Sequence, residues 1–134
     1  MPLVRIDLSK KHPEGFAQQV GEIVYEVMTA HINVPKDDKF QVITRHDNAE
    51  LVMPKSYLGI EYSEGIIFIQ VTLNEGRTTE IKKKFYKSIC EDLVEKLKVR
   101  PQDIVINLVE VSKENWSFGN GEMQYAPKEY DVAR

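Results

Sequence analysis

Residues 66–97 read IIFIQVTLNEGRTTEIKKKFYKSICEDLVEKL, and this stretch contains the two signals that decide the fold. Its first eight residues form an almost continuous apolar run, which predicts a buried strand over residues 66–73. After the polar segment NEGRTTE, apolar side chains recur at every fourth position, as in a helix with one buried face. These positions are Ile81, Phe85, Ile89, Leu93 and Leu97. Pro101 then interrupts the chain, and residues 104–111 predict a further strand, which completes a strand–helix–strand unit.

The same order of elements occurs once more, 65 residues earlier in the chain. Residues 2–8 (PLVRIDL) predict a strand, residues 13–32 carry apolar side chains at helical spacing, and residues 40–44 predict a second strand. The positions that match at this offset are Val4 with Ile69, Ile6 with Val71, Leu8 with Leu73, and Asp38 with Asp103. An internal duplication explains this agreement. Residues 47–65, between the two copies, predict a loop with a minor strand.

The duplication predicts the fold class. Strands that are joined by a helix of this length run parallel, and right-handed crossovers place both helices on the same face of the sheet. We therefore predict one α/β (α+β) domain over residues 1–134, with a four-stranded mixed sheet and two helices on one face. Its repeat halves span about 2–46 and 66–112, and a C-terminal hairpin or tail spans 113–134. Alternate residues of IIFIQVTL and IVINLVEV cannot all face the helices, so the apolar side chains on the opposite face predict an oligomer.

The composition, with 42% apolar and 29% charged residues, is typical of a soluble globular protein. A formal net charge of -3 argues against a nucleic-acid binder, because neutralising phosphates requires a basic face. The one basic cluster, Lys82-Lys83-Lys84, is expected on a solvated helix face. The lone Cys90 is interpreted as a small core residue, since it can form neither an internal disulfide nor a zinc site. With no signal peptide or membrane-spanning run recognisable, we expect a cytoplasmic protein that uses no metal or cofactor.

Pro2 is the first candidate for chemistry. Methionine aminopeptidase removes Met1 before small residues, and its action here would leave a secondary amine at the start of a buried strand. A free α-amino group has a pKa of about 8, and burial lowers the pKa of a cationic amine. The neutral amine would act as a general base, and the protonated amine as an acid beside a carbonyl. A proline at the start of a strand is also structurally harmless, so this residue alone is weak support for catalysis.

Two charged residues are candidates to assist such an amine. Asp38 follows a turn and precedes a strand, where a carboxylate can orient an amine or activate water, although aspartate is also a common turn residue. Arg77 lies between a strand and a helix start, where an arginine can bind a carboxylate through paired hydrogen bonds. A solvated surface arginine is the alternative. Thr78 or Thr79 is expected to be the N-cap of the helix.

Aromatic residues are concentrated near the C-terminus, where Trp116, Phe118 and Tyr125 surround Gly119 and Gly121. A loop of this kind can fold over a site, and its rings would form an apolar wall that excludes water. Aromatic side chains also serve in cores and interfaces. The histidines show no metal-ligand spacing, and those at 12 and 31 are interpreted as surface residues.

Four segments together resemble the tautomerase superfamily, namely Pro2 after the start, VPKDDKF at 34–40, GRTTEIKKKFYK at 76–87 and NWSFGNG at 115–121. The branch that they resemble most is malonate semialdehyde decarboxylase and its homologues, over residues 2–125. The resemblance implies two βαβ units in each subunit of a homotrimer. It also implies a small-molecule carboxylate or carbonyl substrate, with no role for nucleic acid or a membrane.

The resemblance further implies a role for each candidate residue. Pro2 is the catalytic amine of the mature chain, and Asp38 assists it or activates water. Arg77 is both a catalytic and a substrate-binding residue, which holds the substrate carboxylate and stabilises developing enolate charge. The hydrophobic wall corresponds to Trp116 and Phe118, and Tyr125 lies where the family also has an aromatic residue.

One position departs from the decarboxylase branch, which has two arginines in an R-x-R motif before the second helix. This chain has Glu75 at the first position and Arg77 at the second. The loss of a charge-assisted clamp costs roughly 1.5–3 kcal/mol. The substitution favours a tautomerase acting on 2-oxo acids or enols over a malonate semialdehyde decarboxylase or hydratase. A non-catalytic trimeric scaffold is a third hypothesis, and it would be supported by retention of Met1, because an acylated Pro2 nitrogen is not a base.

Overall fold

The computed structural model describes residues 2–126 of the 134-residue chain. In chain order the elements are β1 (Leu3–Ser9), α1 (Phe16–His31), β2 (Phe40–His46), β3 (Ser56–Tyr57), β4 (Ile60–Glu61), β5 (Ile67–Asn74), α2 (Thr79–Leu97) and β6 (Ile104–Val111). Short 3-10 helices lie at Asn48–Glu50, Pro101–Asp103 and Lys113–Asn115. Neither of the two α-helices in this part of the chain is both long and apolar enough to cross a membrane.

The four long strands form one mixed sheet in the order β2-β1-β5-β6. β1 is parallel to β2, and β5 is parallel to β6, as expected for strands that are joined by a helix. The two units meet where β1 and β5 pair antiparallel, with Leu3 opposite Thr72. The predicted fold class, a mixed four-stranded sheet built from two βαβ units, is therefore confirmed.

The core lies between the sheet and the two helices. Side chains alternate along a strand, so every second residue of β1 faces the helices, and Val4, Ile6 and Leu8 are at most 1% exposed. The four-residue spacing that predicted α2 corresponds to its buried stripe, which consists of Phe85, Ile89 and Leu93. These residues and the apolar face of α1 form one cluster. The two helices also contact each other, so both cover the same face of the sheet.

The ends of the helices follow local chain chemistry. Helix α2 has Thr78 as its N-cap, and the side-chain oxygen of Thr78 accepts a hydrogen bond from the Ile81 backbone N–H at 3.3 Å. Lys98, in the left-handed conformation, ends this helix. Helix α1 begins at Phe16, after Gly15 at φ 85°, and therefore starts three residues later than the predicted segment.

Three predictions about less regular segments need correction or qualification. The minor strand of the 47–65 loop is a two-stranded hairpin, β3–β4, which begins after the apolar piece at residues 51–53. In the tail, residues 113–126 form a 3-10 helix and turns rather than a hairpin, and residues 127–134 lie outside the described part of the chain. Cys90 is only half-buried, because it lies at the side of the buried stripe of α2 rather than within it.

The face of the sheet that points away from the helices is open in a single chain. Phe40 and Val42 of β2 are 47% and 41% exposed, and Val109 of β6 is 37% exposed. Polar side chains lie between these strands, including Gln70, which donates to Asn107 at 2.9 Å. The apolar surplus that the sequence predicted on this face is therefore present at both edges of the sheet.

Candidate active site

Pro2 lies at the head of β1, at one end of the sheet, and it is buried. Leu3 is paired with Phe40 of β2 on one side and with Thr72 of β5 on the other. Pro2, one residue earlier, therefore lies between the segment that enters β2 and the end of β5. By alternation its ring is on the same side of the sheet as Val4, toward the helices. The strand thus places position 2 where three chain segments converge.

Asp38 is in the segment that enters β2, and it reaches the same end of the sheet. Its backbone N–H donates to the carbonyl of Pro35 at 3.1 Å, which closes the turn that sequence analysis anticipated. Asp37 takes a positive φ of 74° and is exposed, whereas the Oδ1 atom of Asp38 is shielded from solvent. The turn therefore presents one carboxylate to solvent and holds the other against the protein.

Arg77 connects the ends of several elements. Its Nε and Nη2 atoms donate to the carbonyl of Ile32 at 3.2 and 2.8 Å, and its Nη1 atom donates to the carbonyl of Asn74 at 2.9 Å. Ile32 is the C-cap of α1 and Asn74 is the last residue of β5, so the guanidinium is fixed rather than free at the surface. Three of its five N–H groups take part in these bonds, which leaves two for an anion.

The electrostatic environment of Arg77 differs from that of a surface arginine. Burial lowers the pKa of its guanidinium, and the negative charge of Glu110 acts in the opposite direction. The group nevertheless remains charged at neutral pH, because a guanidinium titrates far above that range. A partly desolvated cation of this kind attracts a carboxylate more strongly than a solvated one. Glu75, at the first position of the R-x-R motif, is exposed.

The aromatic residues of the tail form one cluster over this end of the sheet. Trp116 donates from Nε1 to the side-chain oxygen of Asn74 at 2.8 Å, which ties the tail to the end of β5. Its ring stacks on Phe118 with centroids 5.5 Å apart, and Phe118 meets Tyr125 edge-on at 5.2 Å. Phe118 also lies 6.5 Å from Phe40, at the start of β2. The rings therefore form an apolar wall beside the segments that surround Pro2.

Comparison with known proteins agrees with this arrangement. Residues 38–119, more than half of the chain, match the family described as tautomerase enzyme. The chain is also 40% identical to the probable tautomerase YusQ of Bacillus subtilis (strain 168), over 92% of this chain and 98% of that protein. The chain belongs to the tautomerase family.

Solved structures place this tautomerase-family chain close to one branch. It superposes on FG41 malonate semialdehyde decarboxylase inhibited by 3-bromopropiolate with a TM-score of 0.84 and 30% identity, over 92% of this chain and 93% of that one. A malonate semialdehyde decarboxylase studied in wild-type, mutant and inactivated forms gives a TM-score of 0.82 and 27% identity, over 91% and 94% of the two chains. The predicted resemblance is thereby confirmed.

Sequence analysis missed two side chains of this tautomerase-family site. Asn74 accepts the Trp116 hydrogen bond and, through its carbonyl, one bond from Arg77, although it appeared only as a polar residue after a strand. Phe40 was assigned to a strand, and its contact with Phe118 depends on a segment 78 residues away in sequence. An amide at the end of a strand is a common feature, so only the pairing of β1 with β5 reveals that Asn74 lies near the head of β1.

The basic cluster of α2 also needs correction. Lys83 is more than two-thirds exposed, as expected for a solvated face, but Lys82 is only 27% exposed and lies 2.5 Å from Glu110 of β6. The pKa of Glu110 is held below its ordinary value, mainly by the hydrogen bond from Lys82, and further by the Gly76 backbone and the charge of Arg77. The Glu110 carboxylate therefore adjoins the turn that carries Arg77.

Other polar residues lie at the opposite end of the sheet. Asp103, the repeat mate of Asp38, is 2% exposed and accepts hydrogen bonds from Ser63 and Arg100. His12, which was interpreted as a surface residue, is half-buried instead, because it stacks on Phe16 and contacts the Gly65 carbonyl. A cavity of about 320 Å³ at this end is lined by ten residues, none of them among the predicted site residues.

Proposed function

We propose that this tautomerase-family enzyme uses the amine of Pro2, exposed when Met1 is removed, as an acid and base on 2-oxo acids or their enols. The observation that carries the proposal is the convergence at one end of the sheet. A buried Pro2 lies between the Asp38 turn and the end of β5, where Arg77 and Trp116 are both anchored to Asn74. These are the groups that a small acidic carbonyl compound requires.

The proposed chemistry is a proton transfer in two steps. The neutral amine of Pro2 takes the proton of an enol hydroxyl, and the electron pair of that O–H bond forms the carbonyl. The carbon–carbon double bond then takes a proton from the resulting ammonium group, which restores the neutral amine. Burial and the nearby guanidinium favour the neutral amine, whereas the Asp38 carboxylate stabilises the protonated one.

The remaining groups bind and shield the substrate in this proposal. The two uncommitted N–H groups of Arg77 hold the carboxylate and stabilise charge that develops on the neighbouring oxygen. The wall formed by Trp116, Phe118 and Tyr125 packs on the apolar part of the substrate and excludes water, which strengthens each electrostatic contact inside. The proposal assigns no role to a metal or cofactor.

The proposal is tested with Pro2→Ala, whose small second residue still permits removal of Met1. General acid–base catalysis is worth roughly 10²–10⁴-fold, so kcat/KM for a phenylpyruvate-like enol should fall at least about a hundredfold. Intact mass after incubation with 3-bromopropiolate should show one adduct on the wild-type chain, mapped to residue 2. Equal turnover by the processed variant, or a purified chain that retains Met1 and is still active, would rule the mechanism out.

Decarboxylation is the second candidate, and the similarity to two malonate semialdehyde decarboxylases favours it. In that reaction a protonated Pro2 polarises the carbonyl of a 3-oxo acid, while Arg77 fixes the carboxylate and Asp38 activates water where hydration occurs. A coupled assay for carbon dioxide release from malonate semialdehyde separates the two functions. Carbon dioxide release at a rate equal to or above that of enol turnover would make decarboxylation the favoured function.

We further propose that the chain acts as a homotrimer. The open face of the sheet supports this, since Phe40, Val42 and Val109 are each more than a third exposed in the single chain. A fused 4-OT that shares the fold, with a TM-score of 0.71 at 16% identity, is a symmetric trimer. Packing of this face against two further copies would bury those side chains.

A further inference from the structure

Glu110 occupies a position in the sheet that no part of the proposed chemistry uses. It is paired in register with Leu73, and Leu73 in turn lies beside Pro2 on the next strand. Two strand spacings separate Glu110 from Pro2, about 10 Å. Because alternation places the three residues in one cross-strand row, the Glu110 carboxylate lies on the helix side of the sheet, as Pro2 does.

The contacts of Glu110 concern the turn that carries Arg77. Its Oε1 atom accepts from Lys82 Nζ at 2.5 Å, and these two side chains are only 31% and 27% exposed. The Gly76 backbone and the charge of Arg77 both act on the same carboxylate, and both lower its pKa. Glu110 is therefore ionised at neutral pH. It bonds directly to the ammonium group of Lys82, and its charge also acts on the Arg77 guanidinium.

The charges of these side chains limit how many substrate carboxylates the site can bind. Arg77 and Lys82 supply two positive charges, and Glu110 neutralises one of them. In the R-x-R motif of the branch that this chain resembles, two arginines stand before the helix, whereas here the first position is the exposed Glu75. Among Arg77, Lys82 and Glu110, one positive charge is thus left to bind a substrate carboxylate.

We propose that Glu110 makes this site selective for substrates with one carboxylate, by holding Lys82 away from a second one. This inference rests on the proposed function, since it concerns the substrate class of the same site. Glu110 does not touch the reacting atoms. It acts through the charge of Lys82 and through the field at Arg77, so it is a specificity-determining residue rather than a catalytic one.

The inference is tested by comparing two enols with the wild type and Glu110→Gln. One enol is derived from a 2-oxo monoacid and the other from a 2-oxo diacid. The wild type should prefer the monoacid. Removing the charge of Glu110 frees Lys82, so kcat/KM for the diacid relative to the monoacid should rise roughly three- to tenfold at low salt, and less at 0.5 M salt.

Two further variants make the result specific. The double variant Glu110→Gln with Lys82→Gln should return the ratio to the wild-type value, because the freed cation is then absent. Glu80→Gln is the matched control, since Glu80 is 85% exposed and only 4.0 Å from the exposed Lys83. Like Glu110→Gln, it removes one negative charge, but at the exposed surface of α2. It should therefore leave the ratio of kcat/KM for the two enols unchanged.

The possible failures are distinguishable. An unchanged ratio in a folded Glu110→Gln variant, an equal fall for both enols, or a wild type that prefers the diacid would each overturn the selectivity while the proposed function stands. If the wild type turns over neither enol, the proposed function fails. Calorimetric titration with phenylacetate and with succinate then tests the selectivity separately, and an affinity ratio that Glu110→Gln does not shift would reject it.

Discussion

At the scale of single residues, the side chains of the candidate site are held in place by hydrogen bonds, and two of them bond to the same residue. Trp116 is held by the 2.8 Å bond to the Asn74 side chain, while Arg77 holds the carbonyl of the same residue. Sequence analysis predicted both Trp116 and Arg77. It could not predict their shared partner, because the bond to Trp116 spans 42 residues and follows no local spacing.

This anchoring predicts the behaviour of Trp116→Phe, which keeps an aromatic ring and removes the indole N–H. Loss of one hydrogen bond is worth about 1 kcal/mol, so we expect kcat/KM for an enol substrate to fall about fivefold, mainly through KM. The midpoint of urea unfolding should change little, because residues 113–126 contribute no fully buried side chain. An unchanged KM would show that the bond to Asn74 does not position the wall.

At the scale of elements, the duplication has produced two unequal ends of the sheet. Asp38 and Asp103 occupy matching positions, each before the second strand of its unit. In the second unit the chain that enters β5 passes Asp103, and Ser63 donates to it from both its hydroxyl and its backbone N–H. In the first unit Asp38 lies at the end of the sheet that carries Pro2, and under the proposed function the matching space is occupied by a substrate.

The Ser63 contact predicts a purely structural role for Asp103. Ser63→Ala leaves a carboxylate that is 2% exposed without one of its donors, which costs about 1–3 kcal/mol of unfolding free energy in urea. Turnover per folded chain should not change, because the contact lies at the end of the sheet opposite Pro2. Ser56→Ala, in the exposed strand β3, is the matched control and should unfold like the wild type. Equal stability of the two variants would contradict the assignment.

Regular elements were predictable from the sequence because their signals are local. The four-residue spacing of Phe85, Ile89 and Leu93 is itself the buried stripe of α2, and Thr78 caps that helix by a bond to a residue three positions away. The β3–β4 hairpin could be predicted only as a minor strand somewhere within residues 47–65, because strands of two residues are too short to show alternation. The bond from Arg77 to the carbonyl of Ile32 joins residues 45 apart, so it depends on the packed fold rather than on any motif.

At the scale of the whole molecule, the open face of the sheet and the candidate site are adjacent. Phe40 belongs to both, since it is 47% exposed on the face away from the helices and also contacts Phe118 of the aromatic wall. Covering this face with further subunits would therefore also enclose one side of the site. Assembly and activity should then be lost together.

Val42→Lys tests this coupling, because Val42 is on the open face two residues beyond Phe40 and is 41% exposed. Burying an unpaired ammonium group in an interface costs several kcal/mol, so the variant should sediment as a single 15.5 kDa chain, whereas under the proposed assembly the wild type should sediment at three times that mass. Turnover should fall along with the mass, while circular dichroism stays that of a folded chain. Gln18→Lys adds the same charge on the exposed side of α1 and should change neither property. A wild type that is monomeric and fully active would show that a single chain forms a complete site and that activity does not require assembly.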